Sequence, residues 1–385
     1  MNLLALKMLL GDRLKYLGLV VGIAFASLLI TQQASIFYGY AHRIGAWIRD
    51  TGPADLWVMD PQAEYTEDQK PLTDTTLQRV RSVDGVAWAM PMWKGYLPVR
   101  LRDGTLVQAR IVGIDDATLL GGPPRMVEGE LADLQRDRAV FVDRQSLADL
   151  RTRRATADGP PRDLRVGDRI DVNDFDAVVA GTFERTPEFF WDPLLYTTYS
   201  RALAMAPRAR KQLTFVLVKV RDGADVGAVA SAIAAATGCA ARTRGEFEGI
   251  SESYVLAKTG ILVNFGITIA LGFVIGVLVA GQLLYNFVVE NLRYHAALKA
   301  MGATNGVLVR MVLTQALVAS TIGFGIGVGG AALSGIGLAS GGLAFEMDWR
   351  IPLLGFAAIL AVAAIAVLVS ITRVLRLEPA VVFKG

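Results

Sequence analysis

Apolar and polar positions divide the chain into one long hydrophobic run, a broad mixed segment, and three further hydrophobic runs. The first run is Leu17 to Tyr40, and the mixed segment extends from about Ala41 to Ser253. The later runs are Ile261–Val289, Val307–Leu343 and Ile351–Ile371. Each can cross a hydrocarbon core of about 30 Å as a helix of roughly 20 residues. The pattern therefore predicts four transmembrane helices, arranged one plus three, with a large domain inserted after the first. The expected segments are a short amphipathic helix at 1–16, spans at 17–40, 256–289, 306–343 (with an outer turn) and 351–372, a loop at 290–305, and a tail at 373–385.

Within the insert, taken as 41–255, the period shortens and turn residues recur. Gly52-Pro53 breaks helix. Val86–Arg102 and Leu106–Ile114 are extended runs joined by the turn Arg102-Asp103-Gly104, and Thr73–Ser82 has helical spacing. Gly121-Gly-Pro-Pro124 marks a subdomain boundary, and short strand-like runs up to about residue 199 read as an inner β-subdomain, 121–199. An Ala-rich helix follows at Val226–Ala236. These elements predict an α+β domain built on hairpins. Thr152–Arg162 is polar enough to be disordered.

Composition agrees with a membrane protein carrying one soluble domain: 385 residues, 53% hydrophobic, with a mean hydropathy of +0.41. A net charge of +3 without a dense basic tract gives no basis for nucleic-acid binding. The placement of charge says more. Lys7, Arg13 and Lys15 precede the first span; Arg293, Lys299 and Arg310 lie between the second and third; Arg373, Arg376 and Lys384 follow the fourth. By the positive-inside rule both termini and the middle loop are cytoplasmic, and the insert lies outside. Ala24-Phe25-Ala26 resembles a signal cleavage site, but apolar character resumes at Ala34–Tyr40, which favours an uncleaved anchor. The lone Cys239 forms no intrachain disulfide and reads as a small buried side chain.

Chemistry-bearing motifs are sparse. Gly325-Ile-Gly327-Val-Gly-Gly330 has the GxGxxG form but lies inside a span, where Gly323, Gly327 and Gly330 serve close helix packing instead. There is no phosphate loop, no metal-ligand cluster and no nucleophile–base pair. Catalytic, cofactor and metal sites are expected to be absent. Thr31, Gln32, Gln33, Asn264, Gln282, Asn286 and Gln315 are polar residues within spans. They are expected to hydrogen-bond between helices, with a substrate path as the alternative.

The strongest local signal is Glu290-Asn-Leu-Arg-Tyr-His-Ala-Ala-Leu-Lys-Ala-Met-Gly-Ala303. It continues the second span and stops at Gly302, a good helix terminator. Ala296, Ala297, Leu298, Ala300 and Met301 offer a small apolar face beside Arg293 and Lys299. Such a helix fits a groove on a partner protein, or else rests on membrane lipids.

This stretch resembles the E-x-x-R-x-x-x-x-L-K-A-x-G-A segment of MacB-type (FtsX-like) ABC transporter permeases. Val166-Gly-Asp-Arg-Ile170 with Val178-Val-Ala-Gly181, and the tail Arg373-Val-Leu-Arg-Leu-Glu-Pro379, extend the resemblance over nearly the whole chain. Ala297-Leu-Lys-Ala-Met-Gly302 is similar to the DevC-like branch. The resemblance implies a non-catalytic permease of the bacterial inner membrane with a MacB-like periplasmic domain. It implies a homodimer acting with a separate ABC ATPase, which binds the ATP and Mg, and a HlyD-type adaptor for efflux. It assigns ATPase coupling to Glu290, Arg293, His295, Leu298, Lys299, Ala300, Met301 and Gly302. The alternative is an FtsX-like regulator that controls a periplasmic partner and exports nothing.

Overall fold

A computed structural model describes residues 2–154, 160–207 and 212–375. In chain order the helices are α1 (Asn2–Gly11), α2 (Arg13–Ile44), α3 (Ala46–Asp50), α4 (Thr75–Arg81), α5 (Tyr199–Met205), α6 (Val226–Thr237), α7 (Arg244–Lys258), α8 (Ile261–Glu290), α9 (Leu292–Ala300), α10 (Asn305–Ser340) and α11 (Arg350–Leu375). The strands are β1 (Leu56–Met59), β2 (Val86–Arg100), β3 (Leu106–Ile114), β4 (Arg125–Glu128), β5 (Ala139–Asp143), β6 (Arg169–Val172), β7 (Phe175–Glu184), β8 (Leu194–Thr198), β9 (Phe215–Val220) and β10 (Ala240–Thr243). Two compact units result, residues 1–40 with 259–385 and residues 41–258.

In the first unit α2, α8, α10 and α11 are long and apolar enough to cross a membrane. Their shared core includes Ile23 and Ala26 of α2, Leu284 of α8, Met311 and Ala319 of α10, and Val362 of α11. Leu271, Leu278 and Leu333 remain exposed, as lipid-facing positions do. Hydrocarbon gives helices no hydrophobic reason to associate, so close packing of small residues carries the bundle. A Cβ on Gly327 would lie 2.4 Å from the Ala24 carbonyl oxygen, and one on Gly323 would lie 2.9 Å from that of Val20. Gly330 meets only the end of the Leu28 side chain, at 3.0 Å.

Two readings of this unit change. The sequence treats residues 1–16 as one interfacial helix. Here the chain breaks at Asp12, Ala5 and Leu9 of α1 are fully buried, and Gln315 Nε2 donates to the Ala5 carbonyl at 2.9 Å. Leu9 is buried while Leu10 is half-exposed, so the apolar positions of α1 are not confined to one face. The interhelical bonding expected of the spans' polar residues holds for Gln315 but not for Gln282. Its Nε2 donates to Asn286 Oδ1 at 3.1 Å along the same helix, where i and i+4 side chains meet.

The second unit is built in two layers from one sheet. Strands β10-β1-β9-β2 pair antiparallel in that order and, with α4 and α6, make a βαββαβ unit. Successive strand residues face opposite sides. Leu56, Val58, Val216 and Val218 pack on Val80 of α4 and on Val229 and Ile233 of α6. Trp57, Phe215 and Leu217 pack on the other side, with Trp47 of α3 and Phe247 of α7.

Between β2 and β9 a second structure is inserted, and it differs from a run of hairpins over 121–199. β2 pairs with β9 through its first half and with β3 through its second. From there the pairings run β3·β8, β8·β5, β5·β7 and β7·β6, and β6 returns to β2 at Val99↔Val172. The six strands close on themselves. Closure satisfies the backbone edges of short strands that would otherwise be exposed. It also recruits β2 and β3, which lie before residue 121, and uses two parallel pairs, β3·β8 and β5·β7. Val99, Ile111, Val142, Val179 and Leu195 fill the interior, and α5 covers it with Ala202 and Met205. The base of the polar loop is tied, with Thr152 N–H donating to the Arg162 carbonyl at 3.0 Å. Its tip, 155–159, and the tail from Arg376 lie outside the described residues.

Candidate functional site

Two places carry more polar construction than packing requires. The first is the loop after α8. The helix ends at Glu290 and restarts at Leu292 as α9, which closes with a Schellman arrangement. Gly302 adopts φ +93°, its N–H donates to the Lys299 carbonyl at 3.1 Å, and Ala303 N–H donates to the Leu298 carbonyl at 3.0 Å. A side chain at Gly302 would be strained by that φ.

The helix period sorts the eight residues assigned by resemblance. Arg293, Ala300, Met301, Gly302 and Glu290 are exposed, with Met301 at 76%. His295 is fully buried and Leu298 packs on the bundle core. His295 Nδ1 lies 2.8 Å from the Asn291 carbonyl, so this nitrogen carries the proton. Burial holds the imidazole below its ordinary value, against the opposing effect of that hydrogen bond. Tyr294, absent from the assigned set, is 65% exposed. With Arg293, Ala300 and Met301 it occupies one face at i, i+1, i+7 and i+8. A lone aromatic next to an arginine was the available signal in the sequence. Lys15 of α2 pairs with both Glu290 and Asp12, closing the loop's near end.

The second place lies inside the outer domain and has no motif in the sequence. A chain of alternating charges runs Asp143, Arg185, Glu188, Arg110, Glu67, Lys94, each side chain at most 5% exposed. Lys94 Nζ donates to Glu67 Oε1 at 2.6 Å and to the Thr66 carbonyl at 3.2 Å, and stands 3.6 Å from the centre of a Trp47 ring. Arg110 bonds Glu188 and Glu67, and donates to the carbonyls of Phe190 and Asp192 at 3.0 and 3.2 Å. Three cations and three anions cancel, as an ion cluster out of water requires. Burial lowers the pKa of Lys94, with Glu67 opposing. Burial also acts to raise that of Glu188, but Arg110, Arg185 and Lys94 overcome it and hold the carboxyl low.

This cluster adjoins the two helices through which the chain enters and leaves the domain. Trp47 and Ile48 place α3 in the domain core. Asp50 accepts from Thr186 N–H at 2.8 Å and from its Oγ1 at 2.9 Å. On the exit side, Phe247 of α7 packs on Trp57 and Phe215, and Tyr254 stacks on Tyr65 at 4.6 Å and 9°. Arg49 and Glu248 join the entry and exit helices at 3.1 Å. No cluster of metal-ligating side chains exists among the described residues.

Four helices apolar enough to cross a membrane, with a sheet-rich domain inserted after the first, define a multi-pass membrane protein with one large extramembrane domain. More particularly, the chain belongs to the family of the MacB-like periplasmic core domain, which matches residues 16–236, and its residues 262–379 match the FtsX-like permease C-terminal. It is thus a membrane subunit of the ABC-transporter type. The family in general works as a dimer with an ABC ATPase and is non-catalytic in its membrane subunits.

Solved structures similar to the chain include the extracellular domain of the noncanonic ABC-type transporter YknZ from Gram-positive bacteria. It has 13% identity and a TM-score of 0.33, covering 49% of this chain and 98% of that one. The periplasmic region of MacB from Actinobacillus actinomycetemcomitans has 12% identity and a TM-score of 0.37, covering 52% and 94%. A domain of a putative permease from Porphyromonas gingivalis has 13% identity and a TM-score of 0.31, covering 46% and 79%. No curated protein matches the sequence.

Proposed function

We propose that this chain is the permease of an ABC-type export complex of the bacterial inner membrane, passing force from a separate ATPase to its outer domain. The termini and α9 face the cytoplasm, and the ATPase docks on the exposed face formed by Arg293, Tyr294, Ala300 and Met301. Two copies act with two ATPases, and a HlyD-type adaptor receives the motion outside. ATP and Mg stay with the partner, and this chain needs no cofactor of its own.

The observation that carries the reading is how the outer domain is held. Both helical connections to the spans are buried in its core, at Trp47 and Ile48 on entry and at Phe247 on exit, and Arg49–Glu248 clamps them together. A displacement imposed on α3 and α7 is then passed to the whole outer domain, because a packed core resists deformation. ATP drives the cycle only if it binds one arrangement more tightly than the other.

The test is affinity purification of the tagged full chain from native membranes, comparing wild type with Met301→Asp and Tyr294→Asp. ATPase and adaptor should come down with wild type, and the ATPase should be lost from both variants. Unchanged ATPase capture in both would overturn the docking face. Recovery of a cell-wall hydrolase in place of an adaptor would replace export with regulation.

A further inference from the structure

We propose that the loop between β7 and β8 rests its aromatic tip, Phe189-Phe190-Trp191, in the lipid headgroup layer on the side of the membrane that holds the inserted domain. The loop reads Arg185-Thr-Pro-Glu-Phe-Phe-Trp-Asp-Pro193. A run of three apolar residues on a surface loop is disfavoured in water, and such runs mark contact with a partner or a membrane. The tip has no room to turn inward. Glu188 is drawn into the domain by Arg110 and Arg185, and Arg110 also takes the carbonyls of Phe190 and Asp192. With the ion chain filling the space beneath, the aromatics are turned outward: Phe189 and Phe190 are half-buried and Trp191 is 73% exposed.

Two sets of contacts within the domain fix which end of it carries the tip. On the entry side, Thr186 is bonded to Asp50 at the end of α3, and Phe189 N–H donates to the Arg43 carbonyl at 3.2 Å. α3 lies in the domain core, whereas Arg43 belongs to α2, three residues or about 4.5 Å of helix beyond Tyr40. From Thr186 to Phe189 the loop therefore descends toward the end of the first span. On the exit side, the Phe190 ring lies 6.2 Å from Tyr65, Tyr65 stacks on Tyr254, and Lys258 Nζ stands 6.0 Å over the Tyr254 ring. Lys258 precedes Ile261, the first residue of α8, by three residues, which is roughly 10 Å of chain at full extension. The tip is thus tied to both points at which the chain passes between domain and bilayer.

The chemistry of the tip suits lipid. The headgroup layer on each face of a bilayer is roughly 5–8 Å deep, and chain length alone brings Arg43 and Lys258 to it. Tryptophan and tyrosine concentrate at that depth, because an amphipathic ring meets hydrocarbon on one side and water on the other. Trp191, Tyr65 and Tyr254 supply such rings beside the two phenylalanines. Arg43 and Lys258 place positive charge next to them, where lipid phosphates lie. The loop's two carboxylates do not oppose the approach: Glu188 is compensated by its arginines, and Asp192 accepts from the Tyr96 hydroxyl at 3.3 Å.

The contact goes beyond the export reading and holds for a regulator as well, since it needs only α2 and α8 to cross the membrane. The test uses the full-length chain in lipid nanodiscs whose phospholipid is brominated either near the headgroup or near the chain end, with tryptophan emission as the readout. Trp191→Phe keeps an aromatic at the tip and removes its reporter. Bromine near the headgroup should quench a larger share of wild-type emission than of Trp191→Phe emission, and bromine near the chain end should erase that difference. Equal quenching of the two proteins by the shallow bromine would overturn the proposal. Trp349, 69% exposed and next to the first residue of α11, reports the spans in both proteins. Loss of all shallow quenching would overturn the spanning arrangement along with the tip. In native membranes, a benzophenone amino acid at position 191 should form adducts with phospholipid, whereas crosslinking to a protein instead would overturn the lipid assignment. The same probe at Leu106, 59% exposed and four residues along β3 from Arg110, should give no lipid adduct, and equal labelling there would count against a specific tip.

Discussion

Replacing Arg110 by methionine tests whether the buried ion chain holds the outer domain as a unit. Methionine keeps most of the side-chain volume while removing the only charge between Glu67 and Glu188, leaving the cluster with two cations and three anions in a site closed to water. Removing one partner of a buried pair costs about 3–5 kcal/mol, because the survivor keeps its desolvation penalty without compensation. For a domain of this size roughly 2–4 °C of melting temperature accompanies each kcal/mol, so the outer domain should melt on the order of 10 °C lower. The assay is thermal unfolding of the detergent-solubilised chain followed by tryptophan emission, since Trp47 stacks over Lys94 in the same cluster. Arg110→Met with Glu188→Gln restores neutrality and should recover at least half of the loss. The reasoning fails if the single variant melts with wild type, or if the double variant loses the sum of the two singles.

Three further outcomes are expected. Met301→Asp should cut ATPase stimulation while leaving the melting temperature unchanged, because Met301 is exposed, whereas Leu298→Asp should lower both by burying a charge against the bundle; equal melting losses would contradict this division. Gly327→Val should destabilise the detergent-solubilised bundle by about 1–3 kcal/mol through overpacking against Ala24 and Ser27. Gly325→Ala, with nothing within 4 Å of the new Cβ, should be neutral or better, and the reverse ranking would refute the packing assignment. The Glu188 carboxyl is held below its ordinary value of 4.5, so its contribution to stability is complete above that pH and lost as pH falls through the lower folded value. Acid titration followed by near-UV circular dichroism should show tertiary loss in that window, shifted upward by Arg185→Met.

Much of this protein was legible locally. A span is specified by its own apolar length, and Gly302 by the positive φ that ends α9, so neither needs knowledge of a distant residue. The Arg102-Asp103-Gly104 turn joins strands adjacent in sequence, and its hairpin forms with Leu101 N–H donating to the Thr105 carbonyl at 2.8 Å. The helical period of α9 was equally visible, but it could not say which arc faces inward. Burial of His295 and exposure of Tyr294 follow from what the bundle presents to that helix.

What only the tertiary structure decided is non-local. The strand ring closes through Val99↔Val172, and the alternating charges come from β2, β3, β5 and two loops far apart in the chain. Lys94, Arg110 and Glu188 look like ordinary surface residues in the sequence, because a charge says nothing locally about the partner that lets it be buried. The outward turn of Phe189, Phe190 and Trp191 became visible only once Arg110 and Arg185 had drawn Glu188 inward. Hydrophobic periodicity is a property of a segment, whereas strand pairing and charge compensation are properties of pairs. The sequence by itself therefore determined the spans and their caps, and the folded chain alone determined the closed ring, the charge cluster and the aromatic tip above it.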